Sequence, residues 1–162
     1  MSPVDLELDI AVEGGAWPDE AVMEEWARRA FTAALATVSD RPEGPLAISL
    51  LLTDDPGIRT LNRQWRAQDK ATNVLAFPAP AHPAPGPRLL GDVALGYETV
   101  LREAEAEGKA FEAHVAHLLV HGALHLIGYD HELEGQAEIM EALEVKALAS
   151  LGIADPYRGM AA

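Results

Sequence analysis

The sequence predicts a single-domain sandwich of α/β or α+β class: a small mixed sheet of four strands with about five helices. Two observations carry that expectation. Strand-period and helix-period hydrophobic patterns are mixed along the chain with no linker and no internal repeat. The 162 residues are enough for one well-buried core, so residues 1–162 are read as one domain. A third observation concerns the interior: the segment Phe111 to Ile127 is apolar nearly all round, which predicts a central, buried helix.

In chain order, Val4, Leu6, Leu8 and Ile10 alternate with acidic residues, which is strand periodicity with one buried face. Gly14-Gly15 ends it. Pro18-Asp19-Glu20 opens a helix on which Met23, Trp26, Ala30, Ala34, Leu35 and Val38 recur at helical spacing; Trp26 and Phe31 are expected in the core. A turn at Arg41–Pro45 leads to the apolar run Leu46 to Leu52, read as an interior strand. Thr53-Asp54-Asp55-Pro56 then supplies a cap and a first-turn proline for a helix through Trp65. Ala71 to Phe77 reads as a short strand. Pro78 to Pro87 is a loop too proline-rich for any ladder, with His82 solvated in it. Leu89 to Tyr97 reads as a strand, Glu98 to Glu107 as a charged amphipathic helix ended by Gly108, and Glu134 to Leu151 as a closing amphipathic helix. The helix between the first two strands allows a parallel crossover, and the loop before Leu89 allows an antiparallel return.

Hydrophobic residues make up 49% and charged residues 23% of the chain, ordinary for a globular protein. With no cysteine, disulfides and thiolate metal sites are excluded. No apolar run approaches membrane length and no basic-then-apolar leader opens the chain, so a soluble, cytoplasmic protein without membrane contact is expected. The formal charge of −14 disfavours nucleic acid on its face. Its distribution does not, because Arg59, Arg63, Arg66 and Lys70 fall within twelve residues and can form a local basic patch.

The densest chemistry lies in His121-Gly122-Ala123-Leu124-His125-Leu126-Ile127-Gly128-Tyr129-Asp130-His131. His121 and His125 are four apart, so a helix projects both from one face, about 6 Å apart along its axis. Gly128 is placed to end that helix in a left-handed turn, letting the chain double back and bring His131 to the same point. Three neutral imidazoles converging leave a fourth tetrahedral position open, as in catalytic zinc sites. The plainer account, three unrelated core histidines, does not explain the spacing or the turn glycine. One zinc ion per chain is expected, although nickel or copper suits the same ligands. His114 and His117 continue the stripe as residues behind the ligands or as hydrogen-bonded core histidines, and Asp130 can orient a ligand imidazole.

The spacing invites comparison with zinc peptidases, in which a glutamate after the first histidine is the general base. Here that position is Gly122, so the peptidase reading loses its main support. Phosphodiester chemistry needs a cation for the developing charge, and an arginine fork binds phosphate oxygens in pairs. Arg59, Arg63 and Arg66, at spacings of four and three, are placed to supply it. Trp65 beside them is read as a core residue, with base stacking as the alternative.

The histidine stretch, with the block Leu61-Asn62-x-x-Trp65-Arg66-x-x-Asp69-Lys70-x-Thr72-Asn73-Val74-Leu75-x-Phe77-Pro78, resembles the YbeY family of bacterial rRNA maturation factors. Leu90-Gly91-Asp92 and Glu112-Ala113-His114 fall in the family's order too. Ala71 stands where the family usually has proline, and Ala76 where it usually has serine. The resemblance implies a small α+β sandwich and a metal-dependent, single-strand-specific endoribonuclease acting in 16S rRNA 3′-end maturation and ribosome quality control. It implies His121, His125 and His131 as zinc ligands and Arg66 as the essential arginine of the cleft; beside it, the basic stretch itself suggests Arg59, Arg63 and Lys70 as residues that track the RNA backbone. Expected partners are single-stranded rRNA or its precursor, the small ribosomal subunit with its proteins, and an assembly GTPase. Two rivals stand beside it: a ribosome-assembly binding factor whose metal is structural, and a metallopeptidase-like hydrolase.

Overall fold

The computed structural model describes residues 3–80, 85–129 and 135–157. Along them run β1 (Leu6–Val12), α1 (Glu20–Ala36), β2 (Leu46–Thr53), α2 (Asp55–Arg66), β3 (Val74–Pro78), β4 (Arg88–Gly96), α3 (Tyr97–Ala106), α4 (Phe111–Leu126) and α5 (Gln136–Ser150). This is the α+β sandwich expected, a four-stranded mixed sheet with five helices among the described residues.

The sheet order is β1-β2-β4-β3. β1, β2 and β4 are mutually parallel, and β3 lies antiparallel to β4 at one edge. Parallel neighbours need a crossover, which α1 supplies between β1 and β2; the proline-rich connection suffices for the antiparallel pair. Along β2, Leu46, Ile48, Leu50 and Leu52 are buried on one face among α1, α4 and α5, with Met23, Phe31 and Leu119 in the same core. The opposite face is smaller: Ile58 from α2 packs on Leu75 and Ala94, with Leu51, Leu61 and Phe77 around it.

Helix α4 is the central element, and most of its side chains are buried. Gly122 explains how closely it approaches the sheet, because a Cβ there would sit 3.0 Å from Val93 Cγ1 and 3.2 Å from Cγ2. Any side chain at this position points into β4 rather than toward solvent.

Three expectations need correcting. Trp65 is 69% exposed, not a core residue: it stands in the last turn of α2, seven residues beyond the buried Ile58, with the Phe77 ring 6.4 Å away. In α5, Ile139 is 53% exposed while Glu144 is 1% exposed, so the buried face carries a carboxylate that hydrophobic periodicity could not show. The third strand starts at Val74 rather than Ala71, since residues 67–73 fold back along α2. His82, Asp130 and His131 lie outside the described residues.

Candidate metal centre and nucleic-acid cleft

Helix α2 begins where the sequence places its cap. The Asp54 side chain accepts the Gly57 N–H at 2.8 Å. The helix ends at Ala67, whose φ of 56° is the left-handed conformation that a non-glycine residue adopts at a cost. The chain then turns back: Gln68 N–H donates to Asn62 O at 3.2 Å, and the buried Asn62 amide donates to Lys70 O at 2.9 Å. This loop forms one wall of a cleft of about 600 Å³. Asn62, Arg66, Gln68 and Lys70 line that wall; Val74, Ala76 and Pro78 of β3 line the floor; His121, His125, Gly128 and Tyr129 line the far wall.

The orientation of Arg66 follows from the ladder register. Gly96 N–H donates to Asn73 O at 3.0 Å and Ala79 N–H to Leu90 O at 2.9 Å. In this antiparallel pair Ala76 and Pro78 therefore turn their backbone groups to the open edge, where Pro78 forfeits no ladder bond. Arg66 NH2 donates to the outward Ala76 O at 2.6 Å, and its guanidinium lies 5.1 Å over the Phe77 ring. The fork is held at one corner with its other donors toward the cleft. Because the contact is to a backbone carbonyl, alanine at 76 serves it as well as serine would.

Of the four basic residues in this stretch, Arg66 and Lys70 line the cleft. Arg59 instead clasps Asp69, Nε to Oδ1 at 2.8 Å and NH2 to Oδ2 at 3.2 Å. That pairing lowers the Asp69 pKa and raises the Arg59 pKa. Arg59 braces the loop that carries Lys70, and Arg63 is exposed on α2 outside the cleft lining.

On the opposite wall, His121 and His125 bring their ring centroids to 4.9 Å, as the four-residue spacing predicts. Gly128 ends the helix with φ 106°, and Tyr129 N–H donates to Leu124 O at 3.1 Å. Among the described residues no group of three potential ligands closes a metal site. The expected third ligand, His131, lies outside them.

The chemistry of the donor set nevertheless fits a metal. His121 Nδ1 lies 3.0 Å from Glu144 Oε2. A carboxylate oxygen only accepts, so Nδ1 carries the hydrogen and Nε2 the lone pair, the tautomer that binds cations. Glu144 was missed at the sequence level: it comes from α5, and nothing in spacing links it to position 121.

Glu144 is also shared. His117 Nε2 lies 3.2 Å from Oε2, and the Tyr157 hydroxyl donates to Oε1 at 2.5 Å. Burial pushes the Glu144 carboxyl up, but hydrogen bonds from His117, His121 and Tyr157 more than reverse this and hold it at about 2. The Tyr157 hydroxyl is pushed up by burial and by that carboxylate. His117 is thus linked to His121 through Glu144 and does not line the cleft. His114 is buried too, with Nε2 2.9 Å from Glu103 Oε1, which also accepts from Asn73 Nδ2 at 2.9 Å. That trio ties the start of β3 to the histidine helix.

The family model described as Endoribonuclease YbeY matches residues 15–152. The protein of that name from Chelativorans sp. (strain BNC1) is 54% identical over 154 residues, covering 93% of this chain and 92% of its own. That from Nitrobacter winogradskyi is 52% identical over 154 residues, covering 92% and 80%. That from Rhizobium meliloti (strain 1021) is 48% identical over 160 residues, covering 94% and 95%. A solution structure of a Thermotoga maritima protein shares the fold, with a TM-score of 0.54 at 22% identity over 93% of this chain and 98% of that one. The chain is a member of the Endoribonuclease YbeY family.

Proposed function

We propose that this protein is a zinc-dependent, single-strand-specific endoribonuclease acting in 16S rRNA 3′-end maturation and in ribosome quality control. The single observation that supports it best is the cleft itself, with Arg66 and Lys70 on one wall and His121 and His125 on the other. One zinc ion held by His121, His125 and His131 would supply Lewis acidity and a water of lowered pKa. The chain's own groups do the rest. Arg66, pinned to Ala76 O, offers its remaining donors to a phosphate and to the charge that grows on it. Lys70 neutralises a neighbouring phosphate. Trp65, 69% exposed and 6.4 Å from Phe77, offers a face on which an unpaired base can stack beside the cleft. An unpaired strand can splay its bases in this way and a duplex cannot, which is the physical content of single-strand preference.

The rest of the surface suits a cytoplasmic assembly role. No described helix is long and apolar enough to cross a membrane. The net charge of −14 suits basic proteins of the small ribosomal subunit, with an assembly GTPase as a further partner. That charge also favours a second reading, an assembly factor whose metal is structural and whose cleavage is incidental. The peptidase reading is disfavoured further, because a glutamate at position 122 would be driven into Val93 instead of the cleft.

The test is 3′-end mapping of 16S rRNA in cells lacking the gene, complemented with wild type or with Arg66→Ala. Unprocessed 3′ ends with the arginine variant are expected, and normal ends would remove Arg66 from the mechanism. With purified protein, His121→Ala should lose at least about a hundredfold in cleavage of single-stranded RNA. Equal cleavage by wild type and His121→Ala would leave the structural-metal reading standing.

A further inference from the structure

A carboxylate in the middle of a buried helix face is costly unless donors surround it and a counter-charge lies near. Glu144 occupies such a place in α5, at 1% exposure, between Met140 and Leu148, which are fully buried. His121 Nδ1 at 3.0 Å and the Tyr157 hydroxyl at 2.5 Å donate to it, and His117 Nε2, hydrogen-bonded to the Tyr157 hydroxyl at 3.3 Å, lies 3.2 Å from Oε2. Among the described residues no lysine or arginine forms an ion pair with Glu144. His117 Nδ1 is buried with no hydrogen-bond partner, which fits a neutral ring whose hydrogen is on Nε2. The cluster therefore holds one buried negative charge directly behind a cleft-lining imidazole. A cation on the other nitrogen of that imidazole would complement it.

We propose that Glu144 is the positioning residue of the metal centre, fixing His121 as the Nδ1–H tautomer with Nε2 presented to the cleft, and that Tyr157 locks Glu144 in that role. The proposal rests on the zinc reading given above and extends it to two residues from the C-terminal part of the chain. Tyr157 reaches α4 because α5 ends at Leu151 and Gly152, with φ 77°, turns the chain back. The Asp155 side chain, accepting Tyr157 N–H at 2.8 Å, sets the final turn. The Tyr157 ring then stands edge-on to His117 at 5.5 Å. Both oxygens of Glu144 are thus held, and the carboxylate cannot rotate without breaking a bond to Tyr157 or to His121.

The test compares wild type, Glu144→Gln and Tyr157→Phe, each confirmed as folded by circular dichroism. Zinc affinity is measured by competition with a chromophoric chelator, and the His121 tautomer by long-range ¹H–¹⁵N correlation in the metal-free protein. Glu144→Gln is expected to lose about tenfold to a hundredfold in zinc affinity and to show mixed His121 tautomers. Tyr157→Phe, which stands in should Glu144→Gln not fold, is expected to lose about threefold to tenfold. Unchanged zinc affinity in the folded variants, or a wild-type His121 carrying its hydrogen on Nε2, overturns the positioning role while leaving the zinc reading intact. A wild type that binds zinc no better than His121→Ala overturns both.

Discussion

Gly122 shows how one residue can exclude a chemistry. A Cβ there would meet the Val93 methyls at 3.0 and 3.2 Å, so Gly122→Ala requires Val93 or α4 to give by a few tenths of an ångström. A loss of about 1–3 kcal/mol in urea unfolding is expected, and Gly122→Glu should fail to fold without gaining peptidase activity. Ala67 is the converse case. Its φ of 56° suits glycine better, so Ala67→Gly should raise stability by about 0.5–1 kcal/mol, read as a higher urea midpoint. Arg66 is held by a backbone carbonyl and a ring together, which a lysine cannot reproduce while also gripping a phosphate. Arg66→Lys should accordingly lose most of what Arg66→Ala loses in kcat on single-stranded RNA. Glu144 sets a pH dependence of known sign. Its carboxyl sits at about 2 in the folded chain against 4.5 ordinarily, so the stability it contributes is full above the ordinary value and lost as pH falls from there toward 2. In metal-free protein that contribution is roughly 3 kcal/mol, and the acid unfolding curve of Glu144→Gln should be correspondingly flatter between those limits.

At the scale of elements, the hydrophobic pattern located every strand and helix to within a few residues, because each carries the period of its own geometry. The pairing of ends was not readable in the same way. Glu98 Oε1 accepts Asp55 N–H at 2.6 Å, while Asp55 Oδ1 accepts Thr99 N–H at 3.0 Å, so α2 and α3 cap one another across 43 and 44 positions of sequence. Local spacing cannot reveal a partner at that separation. The same reason hides Glu144 and Tyr157 from the histidine motif, whereas His121, His125 and the turn at Gly128 are readable because a single helix and its end relate them. Trp65 departs from the expectation that large aromatics are core residues: it shares a helix side with Ile58 but lies in the last turn of α2, past the packing on the sheet. The basic cluster was half readable. Its members share α2 and the loop after it, but the return of residues 67–73 brings Lys70 to the cleft and engages Arg59 with Asp69. Lys70→Ala should therefore weaken binding of single-stranded RNA more than Arg63→Ala does.

At the scale of the whole molecule, 26 acidic side chains outnumber 12 basic ones, and the cleft gathers two of the basic ones, Arg66 and Lys70. Two phosphate contacts imply a shallow salt dependence of RNA binding, a slope near −1.4 in log K against log salt for single strands. Under the proposed function the cleft cleaves RNA only when His121, His125 and His131 hold a metal. The most direct measurement of this dependence is cleavage of a single-stranded RNA by one preparation taken through chelation, dialysis and zinc return, with bound zinc counted at each stage. Cleavage is expected to disappear with the metal and to return as zinc reaches one per chain. Full cleavage by the metal-free protein would contradict it.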